Sequence, residues 1–279
     1  MPGFPPGHFY SPVIDPKSLR AREGVIWNRD IHTVSGVDLR LEHQKEFVLG
    51  MRSIAEDFDY PLTPSARAQP WHYYQKNNFF AGLDARLLFG ALRLSTPRRI
   101  IEVGSGFSSL LMADVNRRFL DGAMDITCIE PYPKSILTDV VPGLSRLVEQ
   151  RVEEVELALF DTLEENDILF IDSSHVIKTG NDVWYLFLKV LPRLKAKVRV
   201  HIHDIFLPFE YPKRWVFEAE RSWNEQYLLQ ALLMFSTGFR VLCGSACLSF
   251  FFPDTVRSVF GALYAGGSFW IEKTAAPLP

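Results

Sequence analysis

From about residue 82 onward, short apolar runs alternate with stretches of helical spacing. Leu83, Leu87, Leu88, Ala91 and Leu94 recur every three or four residues and predict a helix that Pro97 stops. The apolar run 100–103 predicts a strand. After a Gly/Ser turn, Leu110, Leu111, Val115 and Phe119 predict a second helix. The run 126–129 reads as a second strand, followed by a helix over 134–140. Val152, Val155, Leu157 and Leu159 alternate with polar residues, which places a third strand there. Residues 168–171 are apolar without alternation, as expected for a strand covered on both faces. Val183, Leu186, Phe187, Val190, Leu191 and Leu194 predict a helix; Val198, Val200 and Ile202 then alternate with Lys197, Arg199 and His201 in a fifth strand. A helix over 220–236 and two strands, around 239–243 and 267–272, complete the pattern. Strands that alternate with helices imply a parallel α/β sheet. In such sheets ligands bind beyond the carboxyl ends of the strands, where strand order reverses.

The first 80 residues are of a different kind. Pro2, Pro5, Pro6, Pro12 and Pro16 crowd the first sixteen positions. Proline lacks an N–H and fixes φ, so this stretch reads as an extended arm. Residues 38–58 carry helical spacing that Pro61 and Pro64 end. Trp71, Tyr73, Tyr74, Phe79 and Phe80 then form an aromatic cluster that is read as packing on the main domain, with one or two rings reaching a ligand. The chain therefore divides into an arm with a lid-like segment, 1–80, and a main domain, 81–279.

Lysine and arginine number 30 against 33 acidic residues, a formal charge of −3, which argues against nucleic acid as the main partner. Three cysteines without a paired spacing fit a reducing compartment rather than a disulfide or zinc framework. No apolar run is long enough to span a membrane, and the start does not read as a signal peptide. A soluble, cytoplasmic protein is expected, and a homo-oligomer is compatible with the sequence.

The strand ends carry the chemistry. Strand one runs into Glu102-Val103-Gly104-Ser105-Gly106-Phe107-Ser108-Ser109, where two glycines let the backbone turn sharply beside a ligand. A dinucleotide site prefers a third glycine where Ser109 stands, and a carboxylate at Glu102 would repel a pyrophosphate while suiting a cationic ligand end. Strand two ends at Glu130, placed to accept hydrogen bonds from ribose hydroxyls. Strand four ends in Asp172-Ser173-Ser174-His175 and strand five in His203-Asp204, so two strand ends each bring an aspartate and a histidine to one edge. His201 lies within its strand and reads as a packed histidine. The segment 205–212, rich in aromatics and prolines, reads as a wall of an acceptor pocket.

These strings resemble the class I methyltransferases that use S-adenosylmethionine, most closely a bacterial subgroup. The likeness rests on residues 101–109, 170–175, 201–208, 223–227 and 266–271 and extends from about residue 80 to the C-terminus. The resemblance implies a Rossmann-like, seven-stranded sheet with its last strand antiparallel and helices on both faces. It implies that Glu102 and the turn Gly104, Ser105 and Gly106, with Ser108 and Ser109, hold the methionine end of the cofactor. Glu130 would hold the ribose, residues 152–154 would lie by the adenine, and Asp172 with Ser174 would face the cofactor's amino group or the acceptor. Some members bind Mg²⁺ or Mn²⁺ at these strand ends. Here Asp172, His203 and Asp204 are the candidate ligands, and metal dependence is left open because the aspartate–asparagine pair of catechol-type enzymes is absent. Without a metal, His203 or His175, with Asp204, would act as general base. The expected activity is methyl transfer to a small-molecule or sugar-like acceptor, at oxygen. The rivals are an NAD(P)-dependent oxidoreductase, against which Glu102 and the missing third glycine speak, and a non-catalytic methyltransferase-like module.

Overall fold

The computed structural model describes residues 3–28, 30, 33–64, 69–133, 135–138 and 141–274. Seven strands form one sheet: β1 (Arg99–Val103), β2 (Asp125–Ile129), β3 (Arg146–Val148), β4 (Ile168–Ile171), β5 (Arg199–Ile202), β6 (Phe239–Gly244) and β7 (Phe269–Lys273). Their order is β3-β2-β1-β4-β5-β7-β6. The first five pair in parallel, and β7 runs antiparallel to both β5 and β6, as expected from the resemblance. Strand order reverses between β1 and β4, so their carboxyl ends open the crevice where such sheets bind ligands.

Both faces of the sheet are covered, which is why the central strands are apolar without alternation. Ile100, Ile168 and Phe170 pack under the helices Gly82–Ser95 and Phe107–Phe119, whereas Ile101, Val103, Leu169 and Ile171 face the helical segment from Asp182 to Arg193 and the helix Glu225–Met234. Among the described residues no helix is long and apolar enough to cross a membrane.

The structure departs from the expected pattern at several points. The third strand is Arg146–Val148, not the stretch around 152–159, which holds a 3₁₀ turn at Val152–Glu154 and one helical turn at Leu157–Phe160. Val152, Val155 and Phe160 are buried at spacings of three and five, which a helical turn satisfies better than a strand. The helix expected over 220–236 starts only at Glu225, because the N–H groups of Asn224 and Glu225 are drawn to the carbonyl of His175. Two helices, Ser245–Phe251 and Pro253–Phe260, fill the connection between β6 and β7. The arm also contains two short helices, Pro16–Arg20 and Glu23–Ile26, the first opened by proline at a position where no N–H is needed. Of the helix expected over 134–140, Ser135–Thr138 is helical, while 134, 139 and 140 lie outside the described residues, as does Pro2.

Among the described residues of the first 80, several pack on the rest of the chain. Tyr73 and Phe80 are buried in the core, and Tyr73 Oη donates to the Phe80 carbonyl (2.9 Å). Trp27 Nε1 donates to the Tyr211 carbonyl (2.7 Å), and Glu23 pairs with Lys213 (2.5 Å). The arm is thus fastened to the segment after β5.

The approach of β1 to β4 fixes the crevice. Gly104 has φ +79°, and a Cβ there would lie 1.8 Å from the carbonyl oxygen of Asp172. Any side chain at this position must push the two strand ends apart. Gly104→Ala should therefore destabilise the fold by about 3 kcal/mol, as overpacking adds to an unfavourable φ. Denaturant unfolding checks this, and a loss below about 0.5 kcal/mol, typical of a surface change, would contradict it.

Candidate active site

The turn after β1 rests on a buried carboxylate. Glu102 is fully buried; it accepts from Ser108 Oγ (2.6 Å), from Ser109 Oγ and from Cys128 Sγ (3.2 Å). Burial raises its pKa to about 7 against the opposing effect of these donors. Ser109 Oγ in turn accepts the Gly106 N–H (2.9 Å), so the network ties strand end, turn and helix start together. Glu102 and Ser109 thus lie beneath the turn, and their contribution to a ligand passes through the backbone they hold.

Above this network lies a cleft of about 190 Å³, lined among others by Phe79, Gly104, Gly106, Ser108, Glu130 and Asp172. Glu130 is oriented by two backbone donors, the N–H of Ser105 (3.2 Å) and that of Tyr132 (2.8 Å). A carboxylate has about four acceptor sites, so two remain for a ligand. A Cβ on Gly106 would meet open space, so the backbone there is bare toward the cleft. Among the described residues that line the cleft there is no lysine or arginine. Phe79 stacks on Phe107 (5.7 Å, 7°) at the rim and joins the cleft to the N-terminal segment. Of the other aromatic residues expected near a ligand, Tyr74 packs edge-on against Phe107 and Tyr73 is in the core. None of Val152, Glu153 and Glu154 lines the cleft, and Ser174 is turned away, its N–H and Oγ both bonded to the Asp182 carboxylate (2.7 Å each).

At the other end of Asp172 the strand-end acids meet a histidine. His175 Nε2 lies 3.4 Å from Asp172 Oδ1 and 3.6 Å from Asp204 Oδ2, and its Nδ1 lies 3.0 Å from Glu225 Oε2. Burial disfavours its charge, but hydrogen bonds to Asp172 and Glu225 outweigh this and raise its pKa to about 10. An imidazole so held keeps its proton more firmly than a free one. The field that favours a proton at Nε2 equally favours a divalent cation there. Asp172, His175 and Asp204 each offer a ligand atom within 4.8 Å of the other two.

His203, expected among the metal ligands, is not in that group. Its ring follows strand parity, on the same side as His201 (5.5 Å) and beside Phe80 (5.3 Å). Nε2 lies 3.7 Å from Asp204 Oδ1, and Nδ1 has no hydrogen-bond partner among the described residues. Burial lowers its pKa, but Asp172, Asp204 and Asp84 prevail and raise it. His201 is the packed histidine expected: it is fully buried, with Nε2 2.8 Å from Ser268 Oγ.

Residues 101–205 match a family model described as a methyltransferase domain. A protein of Archaeoglobus fulgidus, itself described only as uncharacterized, is 42% identical over 168 residues, which span 59% of this chain and 76% of that protein. The stretch from β1 to the end of β5 is thus similar to methyltransferase domains. Solved structures similar to this chain include the O-methyltransferase TomG from Streptomyces achromogenes, in complex with SAM (16% identity, TM-score 0.42, 82% of this chain and 90% of that one). Another is the SAH-bound methyltransferase PaMTH1 from Podospora anserina (17% identity, TM-score 0.43, 93% of this chain and 97% of that one).

Two further residues were not singled out from the sequence. Glu225 lies in the string 223–227 that carries part of the resemblance, but its partner is 50 positions away. Asp84 accepts from Ser245 Oγ and from the N–H groups of Gly267 and Ser268, and so holds the segment before β7 beside Asp204. Only its early place in a helix marks it in the sequence.

Glu102 provides a test. Its pKa is raised above the unfolded value, so its contribution is present in full below about pH 4.5 and is lost as pH rises through about 7. Glu102→Gln keeps a neutral side chain at every pH. Relative to the wild type, its unfolding free energy should therefore rise by about 2–3 kcal/mol between pH 4.5 and 8. Parallel stability curves for the two proteins would show Glu102 ionised throughout.

Proposed function

We propose that this protein transfers a methyl group from S-adenosylmethionine to a hydroxyl of a small-molecule or sugar-like acceptor. The observation that carries the reading is the cleft at the β1–β4 reversal, with a bare Gly106 backbone between two carboxylates, Glu130 and Asp172. Such walls repel a pyrophosphate and attract a cation, which disfavours a dinucleotide. When bound, S-adenosylmethionine supplies a methyl group on a sulfonium, and its ammonium and ribose diol match these carboxylates. In this reading Glu130 holds the ribose, the turn Gly104–Ser105–Gly106 with Ser108 borders the methionine end, and Asp172 sits between cofactor and acceptor.

The acceptor site is assigned to a second cavity, of about 780 Å³, lined among others by Trp27, Phe206, Phe209, Tyr211 and Phe250. Phe206 follows Asp204 by two residues, and Gly267, next to the lining residue Gly266, lies against Asp204. Broad aromatic faces suit the apolar face of a ring. Direct displacement requires chiefly alignment and removal of the hydroxyl proton. Asp172, His175 and Asp204 are proposed to hold a divalent cation, which would supply Lewis acidity toward that hydroxyl, so that its proton could pass to solvent water as the oxygen takes the methyl group. His203 stands behind Asp204, so its proposed part is to tune that carboxylate rather than to take the proton.

Calorimetry checks the cofactor reading. S-adenosylhomocysteine should bind with a low-micromolar to sub-millimolar Kd, NAD should not bind measurably, and Glu130→Ala should weaken binding by about 1.5–3 kcal/mol, the loss of charged hydrogen bonds. Gly106→Val should abolish binding while leaving thermal stability within a few degrees of the wild type. Unchanged affinity in Glu130→Ala, or NAD binding as tight as that of S-adenosylhomocysteine, would overturn it.

A further inference from the structure

The string Trp223-Asn224-Glu225-Gln226 carries part of the family resemblance, yet no role in cofactor or acceptor binding falls to it. It sits where the loops after β4 and β5 come together. The N–H groups of Asn224 and Glu225 both donate to the His175 carbonyl (3.1 and 3.2 Å), and Asn224 Oδ1 accepts the Ile177 N–H (2.8 Å). On the other side, Gln226 Oε1 accepts the Phe206 N–H (2.6 Å), and Gln226 Nε2 donates to the Phe209 carbonyl (3.0 Å). One helix start therefore staples both loops that carry the strand-end aspartates.

The same segment grips the His175 side chain. Trp223 lies over the imidazole, with ring centroids 4.3 Å apart, and Glu225 is 1% exposed with Oε2 on Nδ1. Its other oxygen, Oε1, is buried without a hydrogen-bond partner among the described residues. A buried carboxylate kept there solely for stability would have both oxygens satisfied. His175 and Asp204 are both held in the left-handed backbone region, at φ +61° and +58°. Such strain persists where surrounding contacts over-determine it, and it collects at functional sites. Each turned backbone directs its side chain toward the other.

We propose that Glu225 is the positioning residue of a cation site: by accepting from Nδ1–H it fixes the His175 ring and presents Nε2, with Asp172 and Asp204, to one divalent ion. The inference rests on the proposed cation reading of this cluster and adds to it which nitrogen ligates and what aims it. A carboxylate on the far nitrogen of a metal-bound imidazole sets its tautomer and orientation. One nitrogen and two carboxylates, with water in the remaining positions, suit Mn²⁺ better than Mg²⁺ or Ca²⁺, which take oxygen ligands.

The test uses Mn²⁺ alone with the purified full chain, read by electron paramagnetic resonance and calorimetry. One Mn²⁺ per chain is expected. His175→Ala should remove it, and Glu225→Ala should weaken it by about 10–100-fold. Glu225→Gln, whose amide oxygen still accepts from Nδ1–H, should restore most of the affinity. S-adenosylhomocysteine affinity should be unchanged in all three variants, which shows the cleft intact. If Glu225→Ala fails to fold, ¹⁵N-histidine NMR of the wild type gives the same information. There, Zn²⁺ should shift Nε2 of His175 and leave the proton on Nδ1. Absence of Mn²⁺ binding to the wild type, wild-type affinity in Glu225→Ala, or Zn²⁺ at Nδ1 would each overturn the proposal. Methyltransferase function falls separately, if S-adenosylhomocysteine fails to bind.

Discussion

The contact of Gly104 with the carbonyl of Asp172 governs the rest of the site. It lets the ends of β1 and β4 meet with no side chain between them, so the turn that borders one ligand and the aspartate that faces another share one wall. Beneath it, Glu102 is tied to the following helix through two serines and to β2 through Cys128. A carboxylate so deeply buried resists ionisation, and the donors around it are what make its place tolerable. The crevice is thus stiff where the backbone must stay close to a ligand.

Charge divides the crevice into two halves that meet at Asp172. On the β1–β2 side, Glu130 and the bare turn offer the acceptors and backbone proposed to hold the cofactor. On the β4–β5 side, Asp172 and Asp204 converge on His175, which Glu225 holds from behind. With like charges this close, a proton or a cation is required between them. The proximity of the two halves suits a displacement in which a positively charged donor and an activated oxygen must be aligned.

Much of this was legible in the sequence, for physical reasons. Doubly covered strands are continuous apolar runs, so β1, β2, β4 and β5 were placed within a residue or two. The strand ends in turn led to Gly104, Gly106, Glu130, Asp172 and Asp204. The strand β3 was not legible: its three residues are too short to show a period, and buried valines farther on mimicked alternation. Strand parity in 201–204 could have separated His203 from Asp204, since His203 must share a side with the packed His201. The positive φ of His175, which turns its ring into the cluster, leaves no trace in a pattern of apolar positions. Nor does the pairing of Glu225 with a residue 50 positions away. The helix start at Glu225 was missed for the same reason: a tertiary carbonyl, rather than local propensity, decides it.

A crystal structure of the protein grown with S-adenosylhomocysteine tests the central claim most directly. The account predicts the ribose hydroxyls within hydrogen-bond distance of Glu130, the homocysteine moiety along Gly104 to Gly106, and the sulfur facing Asp172. A nucleoside bound in the aromatic cavity near Trp27 and Phe250, with Glu130 still holding only the Ser105 and Tyr132 N–H groups, would contradict it.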